Sequence, residues 1–237
     1  NRLIGNGPLP ESMLAQRRAQ VYTRPDITDN HLTLLTLDAT LELGARDQLA
    51  LTAYLRRARA ATLNGDLNDD YAPPDVIESG LEHRTHSRQN GAGLALQSTH
   101  KRGEHQLTLG ASLDRARTRF EQTTALGVLD ETRGVVPTEP AQTDAWIAGR
   151  TQTASVYVHD LIALAPTLQL TLSGRYNRTR VTTVDEGRAQ LGLDTTLDAD
   201  ARYAKFNPAA GFTWQVTPAF TAYASASQGN RAPSPIE

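Results

Sequence analysis

"LQLTLSGRYNR", residues 168–178, decides how this chain folds. Leu168, Leu170, Leu172, Gly174 and Tyr176 fall on one parity, and Gln169, Thr171, Ser173, Arg175 and Asn177 on the other. A strand sends successive side chains to opposite faces, so this run is a strand with one apolar and one wet side. The alternation recurs on both flanks. "QTASVYVHDLIAL" aligns Ala154, Val156, Val158, Ile162 and Leu164 against Thr153, Ser155, Tyr157 and His159. "QLTLGASLDRA" aligns Leu107, Leu109, Ala111 and Leu113, and "AAGFTWQV" aligns Ala210, Phe212, Trp214 and Val216. "LALTAYLRRAR" alternates likewise. In "HLTLLTLDATLEL" Leu34 and Leu35 are adjacent, which leaves that register open.

Strands are expected over residues 31–43, 47–61, 79–100, 103–122, 150–164, 167–184, 203–216 and 219–229. Several exceed the usual globular length of about 5–6 residues. A short helix in "PESMLAQRRAQ", after Pro10, is the best helical candidate. The connections alternate in length. Short ones fall at 44–47, 100–104, 165–167 and 217–219, and long ones at 62–78, 123–149 and 185–202. In an all-antiparallel meander of about eight strands, this puts every short turn at one end and every long loop at the other. Outer-membrane barrels have that asymmetry, with short periplasmic turns and long extracellular loops. Residues 8–30 then form another extracellular loop, and "NRLIG" ends an earlier strand. Both chain ends read as cut, "NRAPSPIE" opening a further loop.

Composition is compatible with this reading. The chain has 237 residues, a formal net charge of −2 and no cysteine. No nucleic-acid partner is expected from so balanced a charge, and no disulfide framework or thiolate metal site is possible. No run approaches the roughly 18 uninterrupted apolar residues of a membrane helix. A transmembrane barrel escapes that test, because each of its strands shows lipid only one face.

"NPAAGFTWQVTPAFTAYASASQGNRAPSP" (207–235) resembles a late hairpin of TonB-dependent outer-membrane transporters, siderophore receptors among them. Its strand begins at Asn-Pro, turns at Thr-Pro and returns as Tyr-Ala-Ser to Gly-x-Arg-Ala-Pro. "ASVYVHDLIALAPTLQLTLSGRYNRTRV" (154–181) is similar to an earlier hairpin of the same barrels. "LIGNGPLPESMLAQRRAQVYTRPDITDNHL" (3–32) and "YLRRARAATLNGDLNDD" (54–70) look like a mid-barrel stretch. Asn230 departs from the family, which has an aromatic there. The resemblance implies that residues 1–237 are a middle portion of a barrel of about 22 strands. The plug domain, the TonB-contacting region, a signal peptide and the terminal aromatic strand would lie outside it. It also implies import of a ferric siderophore or similar metal chelate, energised by TonB, in the outer membrane of a Gram-negative bacterium. Membrane lipid and lipopolysaccharide are the expected surroundings. The alternatives are a complete eight-stranded outer-membrane barrel with a structural or adhesive role, and a soluble β-sheet binding module.

Chemical motifs are sparse. "DLNDD" spaces Asp66, Asn68 and Asp70 as a calcium loop would, but Tyr71 replaces the sharp-turn glycine and Ile77 the twelfth-position glutamate. An acidic solvated loop is expected instead. His83 and His86 stand three apart, so on a strand they face opposite sides. Ser225 and Ser227 have no local base, and no nucleophile elbow, phosphate loop or zinc-helix motif occurs. No enzyme, catalytic residue, metal site or cofactor is therefore expected. Arg115, Arg117, Arg119 and Arg175 suit a polar lumen or an extension above the membrane, and inward arginines would attract an anionic chelate. The loop aromatics Tyr71 and Trp146 are candidate anchors for a large ligand. The substrate-binding candidates are thus Tyr71, Trp146, Arg115, Arg117 and Arg119.

Overall fold

The computed structural model describes residues 2–4 (backbone only), 9–187, 192 and 196–236. It consists of strands β1 (Arg2–Ile4), β2 (Asp26–Glu42), β3 (Asp47–Leu67), β4 (Gly80–Arg102), β5 (His105–Leu129), β6 (Val135–Pro137), β7 (Gln142–Ala165), β8 (Leu168–Asp185), β9 (Ala199–Thr217) and β10 (Phe220–Ser227). Among the described residues the one helix, α1 (Glu11–Gln16), lies in the segment expected to carry it. The strands form one sheet in the order β1-β2-β3-β4-β5-β7-β8-β9-β10, with β6 adding to the far end of β5. Every pairing between these strands is antiparallel. Among the described residues β2 and β10 share no ladder, so the sheet is open and is not an eight-stranded barrel closed on itself.

The long strands coincide with the eight expected, but β2, β3, β5, β7 and β9 run further toward the long-loop end. Residues 62–67 and 123–129 are strand, not loop. Past the apolar band both faces of a hairpin are wet, so the period-2 contrast fades while the backbone ladder continues. Thr62 and Thr85, opposite one another on β3 and β4, join hydroxyls at 2.5 Å in that extension. At the other end the turns stay tight. Gly103, at φ +59°, takes the left-handed position that a short hairpin turn needs and that other residues resist.

The register sorts the side chains into two faces. Leu107, Leu109, Leu113, Val156, Val158, Leu168, Leu170, Leu172, Phe212 and Trp214 lie on one, and Ser112, Ser155, Tyr157, Gln169, Thr171, Ser173 and Thr213 on the other. The adjacent Leu34 and Leu35 are resolved by pairing: Leu35 stands opposite Leu55 and joins the leucine face, and Leu34 points the other way. Hydrogen bonds show which face is concave. On the polar face they reach across an intervening strand, from Tyr54 on β3 to Asp114 on β5 and from Tyr157 on β7 to Gln97 on β4. On the leucine face, the side-chain bonds between strands, such as His105 to Asp160, join only immediate neighbours. Side chains two strands apart converge only on the inside of a curve. Exposure agrees: Leu113 is 63% and Val156 58% exposed, against 9% for Ser112 and 4% for Ser155.

The sheet is therefore apolar outside and polar inside. A water-soluble barrel would bury those leucines for about 1.5–3 kcal/mol each, so this arrangement excludes a soluble module and requires hydrocarbon around the outer face. A cation on that face at mid-bilayer costs about 2–4 kcal/mol. Leu109→Lys is expected to lower the unfolding free energy of the full-length protein in lipid by about that amount, whereas Thr171→Lys, on the inner face, should cost well under half as much. Urea titration followed by heat-modifiable gel migration measures both, and equal losses would refute the facing.

Candidate functional site

The inner wall is the surface that a solute passing along the sheet would meet. Two tyrosines organise it. Tyr54 lies across Gly93 on the next strand and donates to Asp114 Oδ1 at 2.8 Å on the strand beyond. Tyr157 lies across Gly110 and donates to Gln97 Oε1 at 3.1 Å. In each case a Cβ on the glycine would overlap the ring, so the glycine is what lets the ring lie flat. Arg175 stacks 5.3 Å from the Tyr157 ring and donates to Ser112 Oγ at 3.0 Å and Asn177 Oδ1 at 2.8 Å. Thr118, Thr151, Thr179 and Thr183 follow the same parity upward, and Arg56 and Lys205 are further inward cations. After β10 the chain crosses this wall, where Pro235 covers Gly149 and accepts a bond from Thr183 Oγ1 at 3.5 Å.

Toward the long-loop rim the wall gains a polar relay. Pairing of β5 with β7 shifts between Gln122 and Thr123, so Asp144 is an extra residue re-aimed by the bulge. Its Oδ2 accepts from Thr124 Oγ1 at 2.5 Å and from Gln122 Nε2 at 3.3 Å. Because the Thr124 hydroxyl donates to a carboxylate, it must accept from His83 Nδ1, 2.8 Å away, and that fixes the His83 tautomer. His86, three residues on, lies on the opposite face beside Glu121. The β3–β4 loop is closed by Asn68, whose Nδ2 donates to Glu78 O at 2.8 Å and whose Oδ1 accepts from Asp70 N at 3.1 Å. That side chain spends its polar atoms on the loop itself.

The segment before β2 is tied to the β5–β6 turn. Arg24 N donates to Arg133 O, and Val135 N to Arg24 O, both at 2.9 Å. Arg133 Nε donates to Tyr22 O, and its guanidinium lies 4.4 Å from the Tyr22 ring centroid. Asp130 anchors the turn by accepting from Gly134 N, Thr132 N and Thr132 Oγ1, each at 2.8 Å. The Gly134 amide first, and the Thr132 hydroxyl with it, holds its carboxyl below the usual carboxylate range.

The five residues singled out as binding candidates do not form one constellation. Tyr71 is exposed in the β3–β4 loop. Trp146 is on strand β7, opposite Glu121 on the outward parity, not in a loop. Arg115, Arg117 and Arg119 continue the parity of Leu109 and Leu113 and therefore lie on the outer face, away from the lumen. Arg175, on the parity of Gln169 and Thr171, is the inner one. The Tyr54–Asp114 and Tyr157–Gln97 bridges were missed. Their signal was a tyrosine whose cross-strand partner is glycine, which only the register reveals.

The profile of the family described as TonB dependent receptor-like, beta-barrel matches residues 5–237. No curated protein sequence matches the chain. Among solved structures it is similar to the ferric citrate transporter FecA, with 12% identity and a TM-score of 0.72 over 93% of this chain and 30% of that one. It is similar to the ferric yersiniabactin uptake receptor FyuA from Yersinia pestis, at 9% and 0.60 over 87% and 29%. The copper transporter OprC gives 12% and 0.62 over 90% and 32%. At these identities the likeness is one of fold, and the chain spans about a third of each structure's length.

Two outcomes follow from the site's geometry. Gly110→Val drives the Tyr157 ring off its seat and should destabilise by about 1–3 kcal/mol, an overpacking cost that Tyr157→Ala in the same chain partly relieves. A sum of the two single losses in the double mutant would refute the pairing. The Asp130 pKa is depressed on folding, so its contribution to the turn is complete above the unfolded value of about 3.9 and is lost as pH falls through the folded value. Hydrogen exchange at residues 130–135 should stay slow from pH 7 down to about 4 and accelerate below it, and Asp130→Ala should remove that dependence.

Proposed function

The chain belongs to the TonB dependent receptor-like β-barrel family, and we propose from that premise that it forms one segment of the wall of a larger outer-membrane barrel. The whole protein would import a ferric siderophore or similar metal chelate. One observation carries the reading: an open sheet with a leucine-rich convex face, a small polar concave face and all its long loops at one end. The apolar face requires lipid, and the polar face offers a solute a wet path without covalent chemistry. The family is one of receptors and transporters rather than enzymes. The similar solved structures carry ferric citrate, ferric yersiniabactin and copper in their names, which supports a metal-chelate cargo here.

In this role the chain's own residues act by shape and polarity. The Tyr54–Asp114 and Tyr157–Gln97 bridges keep two long aromatic side chains flat against the wall, so that the lumen stays open beside them. The rim ties, Arg24 with Gly134 and Asp130 with Thr132, present the long-loop end to incoming cargo. TonB would supply the energy through a part of the protein that these residues do not include.

A strain lacking the gene for the whole protein should lose growth on at least one ferric chelate under iron limitation, and uptake of radiolabelled iron from it should require TonB. Unchanged growth and uptake across a panel of catecholate, hydroxamate, citrate and mixed-ligand chelates would overturn the proposal.

A further inference from the structure

Beyond β10 the chain turns inward. Ser227 stands level with Ser173 on β8 and His159 on β7, and from there the segment climbs the concave face to Gly149, ten residues further along β7. Pro233 and Pro235 fix φ and hold the residues before them extended, so the segment is an arm rather than a coil. Its far end is seated. A Cβ on Gly149 would stand 2.2 Å from Pro235 Cβ, so glycine leaves a notch that the proline ring fills. Thr118 and Thr183 flank Gly149 directly on β5 and β8, and the inward Phe120, Ile147 and Val181 surround them. Ile147, Val181, Thr118 and Thr183 are all buried. The arm thus rests on a partly apolar seat in a largely polar wall.

Three features make this a contact that opens. At the arm's base a Cβ on Gly229 would meet nothing within 4 Å, so the chain turns there without moving a neighbour, and glycine has the widest choice of φ. At the far end the hydrogen bond from Thr183 Oγ1 to Pro235 O is long, 3.5 Å. Past Pro235 the tip borders a cavity of about 460 Å³ lined by Leu32, Arg56, Ala58 and Gln89, and Ile236 is 46% exposed. An element built permanently into the wall would be packed to the density of a protein interior. This one is tight at Pro235 and has open space at its base and its tip. Seated, the arm lies across the surface that a solute following the concave face would meet. Lifted, it clears that surface and uncovers Thr183.

We propose that residues 229–236 are a lumenal gate latched at Gly149, closed in this structure, which must lift before a solute passes along this part of the wall; the solute itself rests on the importer reading above. Two measurements on the full-length protein in cells test it. The first needs no cargo. Thr183→Cys, under the seated arm at a position 9% exposed, is labelled with a membrane-impermeant maleimide, and Ser155→Cys, at a position 4% exposed and nearer the tight turns, is the reference. Labelling at residue 183 should be slow, and Gly149→Val should speed it at least about tenfold by displacing Pro235, while labelling at residue 155 changes less than about twofold. The second follows cargo. The chain has no cysteine of its own, so Thr183→Cys combined with Pro235→Cys can be oxidised to one disulfide within it. The oxidised pair should take up ferric chelate at least about tenfold more slowly than either single variant given the same oxidant, and reduction should restore the rate.

A labelling rate at residue 183 that Gly149→Val leaves unchanged, or raises no more than the rate at residue 155, would overturn the latch, as would failure of the cysteine pair to cross-link. If the Val variant does not fold, Pro235→Gly, which removes the ring and leaves the wall intact, takes its place in the labelling. Uptake in the wild type separates the two readings. With no chelate taken up, the importer fails and the labelling rates alone decide the latch. With uptake that is equal in the oxidised and reduced pairs, the importer stands and the gate is defeated.

Discussion

An apolar convex face on a polar sheet is stable only against hydrocarbon, and the rest of the structure follows from that. Hydrocarbon offers no hydrogen bonds, so each strand's backbone must find its partners on the strands beside it. Hence the uninterrupted antiparallel ladder from β1 to β10, with its tight turns at one end. Hence also the inversion of side chains, which leaves the structure without a conventional core. Among the described residues the few buried side chains are largely polar, and Ser112, Ser155 and Thr179 among them sit on the concave side. Stability comes from the ladder and from cross-strand pairs, and tight packing is confined to places such as Tyr157 on Gly110.

How much of this was legible in the sequence depended on where each strand meets lipid. Within the apolar band the contrast between faces is strong, and Leu168 to Tyr176 or Leu107 to Leu113 could be assigned residue by residue. Above it the contrast vanishes, because water wets both sides. That is why residues 123–129 and 142–149 read as loop although they are strand, and why Trp146 was placed in a loop. The adjacent Leu34 and Leu35 could not be sorted by pattern, since either would serve as the lipid-facing one. Only the partner strand, through Leu55, decides.

The candidate site was legible in part. Arg115 follows Leu113 by two, so its outward parity was already readable. The pattern left open whether these charges line a polar lumen or belong to an extension above the membrane, and the register puts Arg115 on the outer face. Charge is excluded from the outer face at mid-bilayer, whereas above the apolar band water wets both sides. The inner wall was less legible still. Tyr54 and Tyr157 look like ordinary strand aromatics until the register sets each beside a glycine, and His83 shows nothing of its partner Thr124, 41 residues away.

Charge is thus segregated by face. From the level of Arg115 to that of Arg119 the outer face is crowded with guanidinium groups, while the inner face is mostly threonine, alanine and glycine, with Arg56 as its cation there and Lys205 and Arg175 below it. On the importer reading proposed above, selective capture would fall to the rim, where two-stranded projections stand in water and would be marginal if isolated. They are not isolated: Arg24 pairs with Gly134, Ser79 Oγ accepts from Leu129 N at 3.0 Å, and Glu186 N donates to Trp146 O at 2.8 Å. Each tie joins one long-loop hairpin to another, two of them through backbone bonds and one through the Ser79 hydroxyl. On that reading the surface that would meet cargo is also the one tied from hairpin to hairpin.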